Sequence, residues 1–283
     1  MSTAPEPQGL SILIPAHDEA GYIGACLDAL LASDTAGRVQ VVVIANGCSD
    51  DTADRARARV NAAQARGWEM VVIEEPRGGK LNALNRGEAV AVHGNLAYLD
   101  ADVIVSPPLV ATLGQALARG TPCYASGRPV LAPAHSRLAR AYGRFWMRLP
   151  FAKQPAPGFG LFAVNAAGRT RWGAWPDIIS DDTFVRLQFS AAERVEVTAG
   201  YDWPLIEGFA NLVRVRRRQD AGVEEIARLY PGLLANDATP RLSPWALAGL
   251  ILRDPVGFAA YAAVTLAVKT PFARSGTRWA RGR

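Results

Sequence analysis

The tightest constraint on this chain lies in its first hundred residues, where short β-rich runs and helical patterns alternate at close spacing. Ser11 to Ile14 reads as a strand, and a helical pattern follows from about Ala20 to Leu31. Val39 to Ile44 is a second strand. A helix with a polar start at Ser49, Asp50 and Asp51 then runs to about Gln64. Glu69 to Ile73 and Leu96 to Leu99 are the third and fourth strands, with a helix between them from about Lys80 to Val92. Successive parallel strands need a crossover connection, and a helix is the usual one. The alternation therefore predicts an α/β fold with a mostly parallel, doubly wound sheet and helices on both faces. An apolar share of 49% over 283 residues is enough for a real core, which excludes a disordered, collagen-like or coiled-coil chain.

In such a sheet, ligands bind beyond the carboxyl ends of the strands. The first strand is followed by Pro15-Ala16-His17-Asp18-Glu19, and the second by Asn46-Gly47-Cys48-Ser49-Asp50-Asp51-Thr52. The third leads to Arg77-Gly78-Gly79-Lys80 and the fourth to Asp100-Ala101-Asp102. Polar and turn-forming residues thus gather at one end of the sheet. In extended chain Asp100 and Asp102 face the same way, so their carboxylates are candidate ligands for a hard divalent cation. Lys80 opens a helix after a glycine pair, a place suited to a phosphate.

Other chemistries fit less well. Gly79-Lys80 is not a Walker loop, because Glu74 stands where the first glycine belongs and Leu81 replaces Ser or Thr. Gly158-Phe159-Gly160 follows Pro155 and Pro157 rather than the first strand, so it is no dinucleotide fingerprint. The only histidines are His17, His93 and His135, with no H-x-x-x-H, so a catalytic zinc is not expected. Cys26, Cys48 and Cys123 are odd in number and never form C-x-x-C, which points to a reducing compartment. The start, MSTAPEPQG, has no basic segment and no apolar run before Leu10, so no signal peptide is expected.

These blocks resemble those of family 2 glycosyltransferases, whose fold is GT-A, over most of residues 10 to about 222. Ile14-Pro15-Ala16-His17-Asp18-Glu19 resembles the family's opening I-P-[AVT]-[YH]-[ND]-E. The segment from Asn46 to Thr52 resembles D-G-S-x-D-[DG]-T, and Gly79 to Gly87 resembles G-K-x-x-A-L-N-x-G. Asp100-Ala101-Asp102 resembles D-x-D, Pro157-Gly158-Phe159-Gly160 the glycine-rich acceptor loop, and Ser180-Asp181-Asp182 the segment that supplies the base.

The resemblance implies roles for single residues. Pro15, Ala16, His17 and Glu19 would line a nucleoside pocket, with Glu19 near the ribose. Asn46 stands where the family has an Asp reading the base, and Lys80 lies near base or diphosphate. Asp100, Ala101 and Asp102 would serve ribose and metal, with Asp102 the first choice as direct ligand of Mg²⁺ or Mn²⁺ and Asp100 beside it. Gly158, Phe159 and Gly160 would meet the acceptor. Asp182 is the expected general base, ahead of Asp181, since adjacent residues point apart and only one faces the substrate. The pair also sits where a helix is expected to begin at Thr183, so a capping role is compatible. One base and one metal imply a single displacement with inversion. The expected donor is a UDP-sugar, with thymine and guanine open because Asn46 is not Asp. The expected acceptor is a hydroxyl on a lipid-linked or polysaccharide-precursor molecule. Val215-Arg216-Arg217-Arg218-Gln219 keeps little of the Q-x-x-R-W of processive synthases, so one sugar per event is expected. A nucleotidyltransferase of similar sheet is the competing enzyme class, and an inactive membrane-associated scaffold the non-enzymatic one.

Charge completes the expectation. The net of +5 divides into −2 over residues 1–212 and +7 over residues 213–283. The sheet-end blocks argue against nucleic acid as the use of that surplus. From Val103 to Pro176 no acid occurs, and Ser136 to Leu149 plots as a helix with Arg137, Arg140, Arg144 and Arg148 on one face. That is either an ordinary helix packed on the core or an interfacial helix at an anionic membrane. Pro244 to Leu252 and Val256 to Val268 are apolar but too short to span a bilayer, and basic residues run from Lys269 through Arg274, Arg278, Arg281 and Arg283. The expected plan is a GT-A domain over residues 1–222, with a donor half at 10–102 and an acceptor half at 103–222. A helical, basic segment over 223–283 would lie against an anionic membrane on its cytoplasmic face, or else dock on the domain. The sequence leaves the oligomeric state open.

Overall fold

The computed structural model describes residues 9–34 and 37–271. The cations expected at Arg274, Arg278, Arg281 and Arg283, and nearly all of the starting segment, lie outside the described residues. The chain begins with β1 (Leu10–Ala16), α1 (Ile23–Leu31), β2 (Val39–Asn46), α2 (Thr52–Arg57), α3 (Val60–Ala65), β3 (Glu69–Glu75), α4 (Lys80–Glu88) and β4 (Asn95–Leu99). It continues with β5 (Ile104–Val105), α5 (Leu109–Leu117), β6 (Tyr124–Leu131), α6 (Arg137–Trp146), β7 (Leu161–Val164) and α7 (Ala166–Arg169). The last elements are α8 (Asp181–Arg186), β8 (Arg194–Trp203), α9 (Phe209–Leu229), α10 (Pro244–Arg253) and α11 (Pro255–Val268).

The expected strands and helices of the first hundred residues are present, with two changes. The helix expected to reach Gln64 breaks into α2 and α3 at a tight turn, where the Arg59 N–H bonds to the Ala56 carbonyl. The helix expected to reach Val92 stops at Glu88. There the Gln40 side chain takes over, donating to the Val90 carbonyl and accepting from the Val92 N–H at 3.1 and 3.0 Å.

The chain forms two compact units. The first comprises Met1–Val130, Gly158–Asp177 and Gln188–Trp203. Its sheet runs β3-β2-β1-β4-β7-β6-β8-β5. The first four strands are parallel, with Ile12 opposite both Val41 and Ala97. From β4 outward the pairings β4–β7, β7–β6 and β5–β8 are antiparallel, so the sheet is mixed. Both faces of β1 and β2 are covered, as strands inside a doubly wound sheet must be. Ile12, Ile14, Val41 and Val43 join Ile23, Cys26 and Leu27 of α1 in one core. Leu13 and Ile44 point the other way, against α4. A Cβ on Gly87 of α4 would stand 2.7 Å from Ile44 Cδ1, so only glycine lets α4 approach this closely.

The second unit comprises Leu131–Pro157, Ile178–Leu187 and Pro204–Arg283. The boundary expected at 222/223 falls inside α9, which runs unbroken through it. Helix α6 starts where the Ser136 hydroxyl accepts the Ala139 N–H at 3.0 Å, an N-cap. Its apolar face meets α11 through ring pairs Tyr142–Tyr261 and Phe145–Phe258. On its other face Arg144 donates to both oxygens of Asp254 at 2.7 and 2.8 Å, and Arg148 to one at 3.1 Å. The arginine row expected to meet either solvent or lipid thus spends two of its members inside the protein. Among the described residues, no single helix is long and apolar enough to cross a membrane.

Candidate functional site

The strand order of the first unit reverses at β1. Strands β2 and β3 lie on one side of it and β4 on the other. The carboxyl ends of β1 and β4 therefore border the crevice that such a switch point opens. Four post-strand segments converge there, and hydrogen bonds tie them together.

The β1 and β2 ends are laced to each other. His17 Nδ1 lies 2.7 Å from the Asn46 carbonyl oxygen. The Asp18 carboxylate accepts from both the N–H and the hydroxyl of Ser49, at 2.5 and 3.1 Å. Asp18 achieves this with φ at 48°, a left-handed backbone that acidic side chains tolerate better than most. The Glu19 N–H donates to the Thr52 hydroxyl at 2.7 Å, and the Ala20 N–H to Asp50 at 3.1 Å. Burial works to raise the Asp50 carboxyl, but hydrogen bonds from Thr52 and Ala20 outweigh it and hold it below the usual range. Burial pushes the Cys48 thiol up.

Asn46 is only 2% exposed. Its amide nitrogen donates to the Ala16 carbonyl at 2.9 Å, with the Ile44 carbonyl at 3.4 Å. Its oxygen accepts from the Gly79 N–H at 3.0 Å. The residue expected to read a base therefore joins the β1 end to the glycine loop. Gly47 approaches the same loop so closely that a Cβ would stand 3.0 Å from Gly78 Cα, and its φ is +57°.

Lys80 is the first residue of α4, where a cation opposes the helix dipole. Asp100 compensates, with Nζ and Oδ1 2.8 Å apart and the lysine side chain only 20% exposed. Lys80 is thus a held, directed cation rather than a solvated one. Asp100 and Asp102 do not lie in extended chain as expected. The Val103 N–H bonds back to the Asp100 carbonyl at 3.2 Å, so residues 100–103 form a tight turn. Both carboxylates remain half-buried, with Ala101 buried between them.

The glycine loop at 158–160 closes on this turn. The Gly160 carbonyl accepts from the Asp100 N–H at 2.8 Å. Gly158 and Gly160 have φ of +79° and +71°, and a Cβ on Gly158 would fall 2.0 Å from the Tyr124 hydroxyl. Phe159 between them stacks on Trp203 at 5.2 Å, and its carbonyl accepts from Tyr201 at 2.7 Å. Pro15 is half-buried and Ala16 buried at the end of β1. The structure therefore gathers Pro15, Ala16, His17, Glu19, Asn46, Lys80, Asp100, Ala101, Asp102 and the loop Gly158-Phe159-Gly160 within the first unit.

Asp181 and Asp182 belong to the second unit, in the first turn of α8. Asp181 is buried and Asp182 half-exposed, so the two do face different surroundings. Asp182 Oδ1 accepts from the Thr183 N–H at 2.6 Å.

Between residues 11 and 170 the sequence matches the family described as "Glycosyl transferase family 2". The chain belongs to glycosyl transferase family 2. It is a glycosyltransferase with the GT-A fold. Among solved structures it is similar to the mannosyltransferase PcManGT from Pyrobaculum calidifontis in complex with GDP-Man and Mn²⁺. That match has 23% identity, a TM-score of 0.56, and covers 96% of this chain and 80% of the other. It is similar to S. aureus TarS in complex with UDP-GlcNAc, at 14% identity and TM-score 0.55, covering 92% and 81%. It is also similar to glucosyl-3-phosphoglycerate synthase from Mycobacterium tuberculosis with Mn²⁺, UDP-glucose and phosphoglyceric acid. There the identity is 18%, the TM-score 0.51 and the coverage 83% and 81%. At these identities the likeness is one of fold. No curated protein sequence matches the chain.

Several contacts of this family 2 enzyme had no sequence signal. Trp203 supports Phe159 from 44 positions further along the chain. Glu88 collects Tyr98, Trp175 and Arg169, at 2.8 and 2.6 Å for the first two. Asn85 holds Trp175 by both its backbone N–H and carbonyl.

Proposed function

We propose that this glycosyltransferase moves one sugar from a nucleotide-diphospho-sugar to a hydroxyl of a lipid-linked or polysaccharide-precursor acceptor. The carrying observation is the Lys80–Asp100 pair beside Asp102, at the switch point and tied to Gly160. One directed cation and two carboxylates at the sheet end support diphosphate binding there. We assign donor binding to Pro15, Ala16, His17, Glu19, Asn46, Lys80, Asp100 and Ala101, with Asn46 acting through the main chain that it braces. Gly158, Phe159 and Gly160 are assigned to the acceptor side.

The donor atoms suit a hard divalent cation, Mg²⁺ or Mn²⁺. Asp100 and Asp102 offer carboxylate oxygens from one turn, and the Lys80 ammonium already occupies one Asp100 oxygen. Asp102 would hold the cation, with Asp100 beside it. Such a cation, when bound, offsets charge on the leaving diphosphate. The structural neighbours in complex with Mn²⁺ support the use of a divalent cation.

We assign proton acceptance to Asp182. Its carboxylate takes the hydroxyl proton as the acceptor oxygen bonds to the anomeric carbon. The nucleoside diphosphate leaves from the opposite side, and the configuration inverts. Asp181, the alternative, is 5% exposed. Neighbours hold GDP-mannose in one case and UDP-sugars in others, so the base is a property of this chain's own pocket. A UDP-sugar is the donor to try first.

The test is incubation with labelled nucleotide sugars, Mn²⁺ and a membrane extract. Release of nucleoside diphosphate with label in the acceptor supports transfer. Release of pyrophosphate would make the protein a nucleotidyltransferase, and release of neither would leave the scaffold reading standing.

A further inference from the structure

Helix α10 is apolar around its whole circumference, yet none of its residues is buried. Trp245 is 87% exposed and Leu252 83%. Helix α11 is two-faced. Gly257, Ala260 and Val264 are buried, and Phe258 and Tyr261 pack on α6. Val256, Ala259, Ala263 and Leu266 fall on the opposite side at three- and four-residue spacing, and all are exposed. A helix that is hydrophobic all round requires an apolar surrounding. Here the protein covers only the inner side of α11.

Charge identifies the cover. Arg241, Arg253 and Lys269 are exposed around this surface. Between residues 238 and 271 the only acid is Asp254, which is buried and held by Arg144 and Arg148. A segment of exposed apolar side chains that carries cations and no exposed acid of its own, with an exposed Trp, matches an anionic headgroup layer over hydrocarbon. A second copy would set like charges against each other at the same rim. Ten residues of α10 reach about 15 Å, half of a hydrocarbon core of about 30 Å. The chain then turns by 118° into α11. That geometry suits lying in a membrane surface rather than crossing it.

We propose that α10 and the outer stripe of α11 rest in the headgroup region of an anionic leaflet, with the Asp254 latch holding them to α6. This goes beyond the transfer reading and does not depend on it.

The experiment is sedimentation of the full chain with vesicles of phosphatidylcholine alone or with about a third phosphatidylglycerol. Two variants, Leu252→Glu and Trp245→Gln, run alongside, each checked for thermal midpoint and for mass by light scattering. The wild type should pellet with anionic vesicles and bind neutral ones roughly tenfold more weakly, and both variants should lose roughly tenfold or more at an unchanged midpoint and mass. A wild type left in the supernatant with both vesicles overturns the proposal. So does a folded variant that binds as wild type does, which would give the binding to residues elsewhere in the chain. A variant that halves the mass would show that a second copy covers the surface. No donor is present in this assay, so its failure leaves the transfer reading intact.

Discussion

Asn46 shows what one atom changes at a buried position. Its nitrogen donates to the Ala16 carbonyl and lies near that of Ile44, while its oxygen faces the Gly79 N–H. A carboxylate accepts and cannot donate, so Asn46→Asp would set a buried oxygen against two carbonyls. The expected cost is about 1–3 kcal/mol of unfolding free energy, read by urea denaturation. A variant as stable as wild type would show that the amide is not what ties the loops. Two further residues test the proposed chemistry. Asp182→Asn keeps donor affinity and lowers turnover by roughly 10² to 10⁴, the range for losing a general base. Turnover near wild type would move the base elsewhere, with Asp181 next. Asp102→Ala weakens metal-dependent donor binding in calorimetry, and identical titrations with and without Mn²⁺ would remove it from the metal shell.

At the scale of elements, Asp254 decides how the C-terminal helices are held. Its carboxyl is lowered from 3.8 to about 2, first because Arg144 donates to it, while burial pulls the other way. A carboxyl depressed in the folded state favours folding above its unfolded value, and that contribution disappears as pH falls through the folded one. The latch is therefore complete above about pH 4 and lost toward pH 2. Asp254→Asn should lower stability by about 1–2 kcal/mol at neutral pH, and the difference from wild type should shrink across that acid window. Urea melts at a series of pH values measure it, and parallel curves down to pH 2 would mean the pair contributes nothing. Glu193, held near 2 chiefly by Arg171, steepens the same limb in both proteins. How much of such architecture was legible differs between the two halves of the sheet. The parallel strands are mostly apolar runs bounded by turns, and β2 is buried at every position. Strand β5 has two residues, and β6 carries Gly127 and Pro129, so these two strands have no comparable pattern. Lys80 and Asp100 could be placed at a strand end, because that depends on local order alone. The bracing by Asn46 could not, because its partners are main-chain atoms about thirty positions away in each direction. The arginines from 214 to 218 concealed the longest helix, in which Arg216 pairs with Asp220 and Arg217 donates to the Val268 carbonyl at the end of α11.

For the whole molecule, the two units predict how ligand binding and stability are linked. The first unit holds the proposed donor site and its own core, and the folded crevice is closed by protein hydrogen bonds from four segments. Its folding therefore needs no cation, and chelation alone should leave the thermal midpoint in place. A ligand that binds only the native state adds RT ln(1 + [L]/Kd), about 2.7 kcal/mol at a hundredfold excess over Kd. In a chain of this size that corresponds to a rise of roughly 5 °C or more. If Asp102 and a divalent cation jointly hold the diphosphate, the rise should appear with nucleotide sugar plus Mn²⁺ and vanish with nucleotide sugar plus chelator. Running UDP-, GDP- and dTDP-sugars in the same format assigns the base, since only the matched donor gives the full shift. A shift of equal size after chelation would separate donor binding from the metal and leave Lys80 as the diphosphate's main partner. A midpoint that collapses on chelation without donor would instead make the cation structural, contrary to a crevice that the protein's own hydrogen bonds already close.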